Sequence, residues 1–134
     1  METKEFFWKY VMNDCPFCNI DRKRIISYYD EFIVIRDLFP VTYLHTLIIP
    51  KRCVKSYFSL DDKELNNLQK IIKKEKEGLL KIDKTITGFN LGVNDGQDAG
   101  QTIFHCHIHL IPRRKNDVDD PRGGVRGVIP EKQK

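Results

Sequence analysis

The stretch that most restricts this chain is Gln101-Thr102-Ile103-Phe104-His105-Cys106-His107-Ile108-His109-Leu110-Ile111-Pro112-Arg113. Three of the four histidines fall within five positions of it, and apolar or sulfur side chains alternate with them. Side chains on a strand repeat every second residue. The alternation therefore predicts a strand over residues 103–111, with His105, His107 and His109 on one face and Phe104, Cys106, Ile108 and Leu110 on the other. Alternate side chains on one strand stand about 7 Å apart. That spacing suits a row of imidazoles along an extended polyanion, and is too wide for three ligands on one metal without a bend.

The remaining elements follow from pattern and punctuation. Residues 24–29 and 32–37 are rich in β-branched and aromatic residues and flank Asp30-Glu31, which predicts a hairpin. A third strand is expected over 45–49, ended by Pro50, and a fourth over 86–93, with Gly88 and Gly92 marking bends or close backbone contacts. Between them lies one long helix, residues 61–80. Asp61 and Glu64 have capping-box spacing, and Leu65, Leu68, Ile71, Ile72 and Leu79 form its apolar stripe. The lysines and glutamates of its other face read as solvated. Strands before and after one helix, with no β-α-β alternation, predict an α+β fold with a five-stranded, mainly antiparallel sheet and the helix packed on it. A chain of 134 residues is long enough for one domain with its own core.

Residues 1–14 form an N-terminal extension carrying Phe6, Phe7, Trp8 and Tyr10, either a short helix packing its aromatics on the domain or an arm to a partner subunit. Its first ten residues have no apolar run and read as neither a signal peptide nor a membrane span. Four cysteines without a secretory signal indicate thiols in a reducing compartment, with the cytoplasm as default. A formal charge of +4, with scattered Lys and Arg, is compatible with an anionic small molecule and too mild to argue for nucleic acid. Cys15-Pro16-Phe17-Cys18 is a zinc half-site or a redox pair, and the redox reading lacks its β-α-β context. Residues 115–134 lack periodicity. They are a mobile tail, or a flap whose glycine amides and Arg122 or Arg126 meet phosphates.

His105-Cys106-His107-Ile108-His109-Leu110-Ile111 resembles the histidine-triad (HIT) signature, three histidines alternating with apolar residues. Asn94-Asp95-Gly96, Ala99-Gly100-Gln101-Thr102, Asp37 and His45-Thr46-Leu47-Ile48-Ile49-Pro50-Lys51 match as well, so the similarity spans residues 15–114, the expected HIT domain. The resemblance implies a homodimer with joined sheets. It also implies nucleotide hydrolysis or nucleotidyl transfer at the α-phosphate of a purine nucleotide conjugate. The conjugate is a dinucleoside polyphosphate, a phosphoramidate or an acyl-nucleotide.

In that scheme His107 is the nucleophile and forms a nucleotidyl-histidine intermediate, with a main-chain carbonyl taking the proton of its other ring nitrogen. His109 and His45 flank the phosphate and handle protons. Asn94, Gly100, Gln101 and Thr102 approach the phosphate, and Asp37 takes the ribose hydroxyls. Phe32, Ile33 and Leu38 are candidates to line the base pocket.

In some similar proteins a structural zinc is held by the Cys-x-x-Cys pair, a residue three past the proline of Ile-Pro-Lys, and the first triad histidine. Here these are Cys15, Cys18, Cys53 and His105, and Cys3His is an accepted zinc set. Without zinc, His105 becomes a positioning group. No catalytic metal is required. The triad is followed by Pro112-Arg113-Arg114 instead of the Gly-Gly frequent in phosphoramidate-hydrolysing relatives, which leaves the leaving group open. A nucleotide-binding scaffold with little turnover, and a metalloenzyme using the histidine row directly, are the competing readings.

Overall fold

The computed structural model describes residues 15–134, so the aromatic N-terminal extension lies outside the described residues. Strands β1 (Ile25–Tyr28), β2 (Phe32–Arg36) and β3 (Thr46–Pro50) precede the helix α1 (Asp62–Ile82), and β4 (Ile86–Gly92) and β5 (Ile108–Arg114) follow it. They form one five-stranded sheet in the order β1-β2-β3-β5-β4, with every neighbouring pair antiparallel. This is the expected α+β architecture.

Helix α1 begins as its sequence predicts. The Asp61 carboxylate accepts from the Glu64 amide, and Glu64 accepts from the Asp61 amide. Its stripe buries Leu68 and Ile71 against Phe32, Val34 and Ile48 of the sheet and Cys106 and Ile108 of the triad segment. Glu64 also takes a two-pronged contact from Arg52, which fastens the turn after β3 to the start of the helix. Glu75, buried on the same helix, accepts from the Tyr29 hydroxyl at 2.6 Å. On the opposite face of the sheet, Ile33, Ile35, Leu47 and Ile49 pack under Phe17, Ile20 and Ile25. Strands β2 and β3 are thus covered on both faces, which is why their sequences are continuous apolar runs.

Two strand ends differ from expectation. Strand β5 begins at Ile108, not at 103, because residues 103–105 bend and the Cys106 amide bonds to the Val54 carbonyl across the core. It also runs through Pro112 to Arg114. The ladder with β3 stops at the pairing of Thr46 with Leu110, so the proline falls beyond it, and β4 supports the strand from the other side. Pro50 likewise closes β3 from inside, opposite Phe32. The register of β4 shifts between Ile86 and Gly88, the place where glycine signalled a bend. Among the described residues no helix is long and apolar enough to cross a membrane.

Candidate active site and metal site

The bend before β5 decides how the triad is displayed. Because His105 and His107 precede the strand, the three histidines are not evenly spaced along one extended face. His105 turns down and is fully buried, while His107 and His109 stay together with ring centroids 5.2 Å apart. Gly100 helps set this approach from a left-handed conformation (φ 95°) that side-chain-bearing residues rarely adopt.

Each imidazole has a tautomer fixed by its partners. The Val41 amide donates to His45 Nδ1 at 3.1 Å, so His45 carries its proton on Nε2. That Nε2 lies 2.9 Å from His109 Nδ1 and 3.5 Å from an Asp37 carboxylate oxygen. With Nδ1 accepting, neutral His109 keeps its proton on Nε2, and this buried atom has no hydrogen-bond partner among the described residues. His107 Nδ1 donates to the His105 carbonyl at 2.8 Å, which leaves the lone pair on Nε2. Burial lowers the pKa of His45 and His107. It pushes His109 down to about 4, with the neighbouring His107 and His45 adding to the effect and Asp37 opposing it. All three rings are therefore neutral near pH 7.

His105 belongs to a second cluster. Its Nε2 donates to the Pro50 carbonyl at 2.7 Å, so Nδ1 holds a lone pair. That nitrogen faces the sulfurs of Cys15 at 3.1 Å and Cys18 at 3.6 Å. The ligand atoms of Cys15, Cys18, Cys53 and His105 all lie within 4.8 Å of one another. A tetrahedral zinc with sulfur ligands has edges of about 3.8 Å, given Zn–S near 2.3 Å. The donor set fits a closed zinc site in size, chemistry and tautomer. Burial, together with the Cys53 and Cys15 thiols, pushes Cys18 up to about 12, so a cation is what would hold these groups as thiolates. Phe17, between the two cysteines, packs edge-on against both His105 and His107. Cys106 is buried on the helix side, away from the cluster.

Other expected site residues are distributed less simply. Asn94 lines a cavity of about 790 Å³ together with His45 and His109. Gln101 is buried. Its side-chain amide donates to the Lys55 and Ile103 carbonyls and its oxygen accepts from the Gly96 amide, so the side chain braces the loop and any contact it makes outside is through its backbone. Thr102 is exposed beside it. Asp37 turns one carboxylate oxygen to the Phe39 amide and the other toward His45. Phe32 belongs to the core beneath the helix and not to a base pocket, because its register places it on the α1 side of β2. Ile33 points to the other face and Leu38 is exposed.

Two features escaped the sequence. Val41 acts through its backbone, which no side-chain pattern reports. Asn90 and Arg113 line the same cavity as His109, a placement legible only once β5 is continued past Pro112. Of the two readings of the C-terminal segment, the fold-back of residues 117–133 as short turns favours the flap: Gly124, Val125 and Val128 wall the cavity, while Arg122 pairs with Asp120 and Arg126 donates to the Lys132 carbonyl.

The HIT domain family model matches residues 20–116. An uncharacterised HIT-like protein of Borreliella burgdorferi is 41% identical over 111 residues, covering 79% of this chain and 80% of the relative. Among solved structures, the diadenosine triphosphate hydrolase of Plasmodium falciparum superposes with a TM-score of 0.70 at 28% identity, covering 75% of this chain and 68% of that one. A zinc-bound histidine triad family protein from Mycobacterium smegmatis superposes with a TM-score of 0.64 at 27% identity, covering 87% and 80%. With its triad, its sheet and its matched length, this chain belongs to the HIT domain family.

Proposed function

We propose that the protein is a nucleotide hydrolase or nucleotidyl transferase that works through a covalent nucleotidyl-histidine on His107. The observation that supports this reading is the pairing of two tautomers. His107 is committed to Nδ1–H and so presents a nucleophilic Nε2, while the neighbouring His109 holds a buried Nε2 without a hydrogen-bond partner among the described residues. A neutral imidazole is a competent nucleophile at neutral pH. The named activity of the Plasmodium falciparum relative supports the same class.

In the proposed sequence His107 Nε2 attacks the α-phosphorus, a P–N bond forms, and the bond from phosphorus to the leaving atom breaks with its electron pair. The negative charge of the arriving phosphates favours a proton on the His45–His109 pair. His109 Nε2 delivers that proton to the leaving atom. Water then attacks phosphorus, the P–N bond breaks, and His109 takes the water's proton. His45 holds His109 in register through the 2.9 Å contact. Asn94 and the backbone around Gly100 and Thr102 supply donors for the phosphate oxygens. Asp37 serves the ribose hydroxyls and restrains His45.

Cys15, Cys18, Cys53 and His105 would hold a structural zinc, whose chemistry is to fix the His105 backbone and with it the carbonyl that holds the nucleophile's tautomer. The proposal includes a homodimer with joined sheets, for which β1 and β4 are the edges, and a reducing compartment for the thiols. It also keeps residues 15–114 as the HIT domain, with residues 115–134 as its flap.

Intact-mass measurement of the protein mixed with adenosine and guanosine substrates of each candidate class tests the reading, with His107→Ala alongside. A nucleoside-monophosphate adduct or product from the original chain and neither from the variant is the expected result. Undiminished turnover in His107→Ala would refute it. Tight nucleotide binding without product across the panel would favour the scaffold instead.

A further inference from the structure

The cavity beside His109 has an arginine at its far end. His109, Ile111 and Arg113 lie on one face of β5, and all three line it. His109 and Arg113 are four residues apart, about 13 Å at the strand rise of ~3.3 Å per residue. An oligophosphate and the reach of an arginine side chain span that gap. Arg113 Nη1 donates to the Asn90 side-chain oxygen at 2.7 Å, so the guanidinium is aimed from the neighbouring strand β4. Its other two nitrogens, Nε and Nη2, donate to the Asp117 carboxylate at 2.8 and 2.7 Å. This parallel fork is the geometry with which arginine binds phosphate as well as carboxylate.

Asp117 belongs to the segment that closes over the cavity. The segment is fastened by short-range fits. Gly123 lies at φ 82° against the Gln133 backbone, where a Cβ would meet the carbonyl oxygen at 1.6 Å. The Gln133 side chain in turn donates to the Arg122 carbonyl. Between the two histidines and this arginine, Leu91, Ile111, Val125 and Val128 give the cavity apolar wall, and Arg113 is the one Lys or Arg among the described residues that line it. A single bidentate cation in such surroundings selects one anionic group.

We propose that Arg113, aimed by Asn90, is the subsite for an anionic leaving group, and that Asp117 competes with that anion for the guanidinium. The inference rests on the nucleotidyl-transfer reading and deepens it, since it assigns the leaving group a phosphate-bearing class. Departure of Asp117 from the fork on binding couples substrate entry to loosening of the covering segment.

Inorganic tripolyphosphate is the probe, titrated calorimetrically into the full chain at fixed ionic strength. Arg113→Met weakens binding about tenfold or more, the scale of a lost charge-assisted pair. Arg113→Lys falls between, because a point charge replaces the fork. Asp117→Asn tightens binding several-fold, a direction that a folding defect cannot produce. In turnover, the ratio of kcat/KM for a dinucleoside polyphosphate to that for a nucleoside phosphoramidate with an uncharged amine drops about tenfold in Arg113→Met.

Equal tripolyphosphate affinity in all four proteins, or equal loss on both substrates, would overturn the proposal. Failure of the nucleotidyl-transfer reading is separately visible as turnover that survives His107→Ala. The tripolyphosphate titration does not depend on turnover and decides the Arg113 subsite in either case.

Discussion

Replacing His45 by phenylalanine removes one proton and one lone pair from the centre of the site while nearly conserving the volume of a side chain that is 3% exposed. His109 Nδ1 then loses the donor at 2.9 Å, and nothing commits the His109 proton to Nε2. General acid catalysis contributes roughly 10²–10⁴-fold. Taking the lower bound, because His109 itself remains, kcat falls about a hundredfold, equivalent to ~2.7 kcal/mol in the barrier. The loss depends on the leaving group. An adenylate amide releases an amine that must be protonated as it departs, so it feels the full effect. A nitrophenyl ester of AMP releases a stable anion and is slowed little. The double variant His45→Phe/His109→Ala loses little more than His109→Ala alone, since the two act as one unit. Single-turnover kinetics on both substrates makes the comparison. An equal loss on the amide and the nitrophenyl ester would refute the proton-delivery role and leave His45 as packing only. The orphaned Nδ1 and Val41 amide also lower stability by about 1–3 kcal/mol, read from urea unfolding.

Metal analysis of purified protein is expected to give one zinc per chain, lost in Cys18→Ser together with a lower melting temperature. A well-folded, metal-free original chain would contradict this. Asp61→Ala breaks the capping box and lowers stability by about 1 kcal/mol, measured by urea unfolding; an unchanged midpoint would show that the cap adds nothing to the packed helix. Burial, with the Glu75 carboxylate adding to it, pushes the Tyr29 hydroxyl from an ordinary value of 10.0 up to about 12. The folded chain then holds this proton more tightly than the unfolded chain. The contribution is complete below about pH 10 and is lost as pH rises toward about 12. Tyr29→Phe flattens that part of the alkaline stability profile. An unaltered slope would remove Tyr29 from the account.

Helix α1 was legible because its signals are local. Asp61, Glu64 and the stripe through Leu79 act within one segment, and tertiary packing agrees with them. Cys15, Cys18, Cys53 and His105 were named as candidate zinc ligands through resemblance, and the fold brings their ligand atoms together. The start of β5 was not legible. Alternation continues back through Phe104 in sequence, yet the Val54 carbonyl captures the Cys106 amide and the chain bends. A contact between segments so far apart leaves no mark in either. Pro112 misled for a related reason, since a proline ends a strand only where a ladder would need its amide, and the ladder with β3 had already stopped. With the strand expected to end at Ile111, Arg113 was not placed on the face it shares with His109. Gln101 shows that a matching motif position can point inward.

His105 has a side chain in the cysteine cluster and a carbonyl that accepts from His107 Nδ1. The residue it meets most closely in that cluster, Cys15, is 90 positions away in the chain. The tautomer of His107 is therefore tied to a cluster whose members come from segments 90 positions apart. A nascent or partly unfolded chain has no preferred tautomer at His107, and the proposed nucleophile takes shape only as these distant segments meet. On the proposed mechanism, completing the fold and readying His107 for chemistry are coupled.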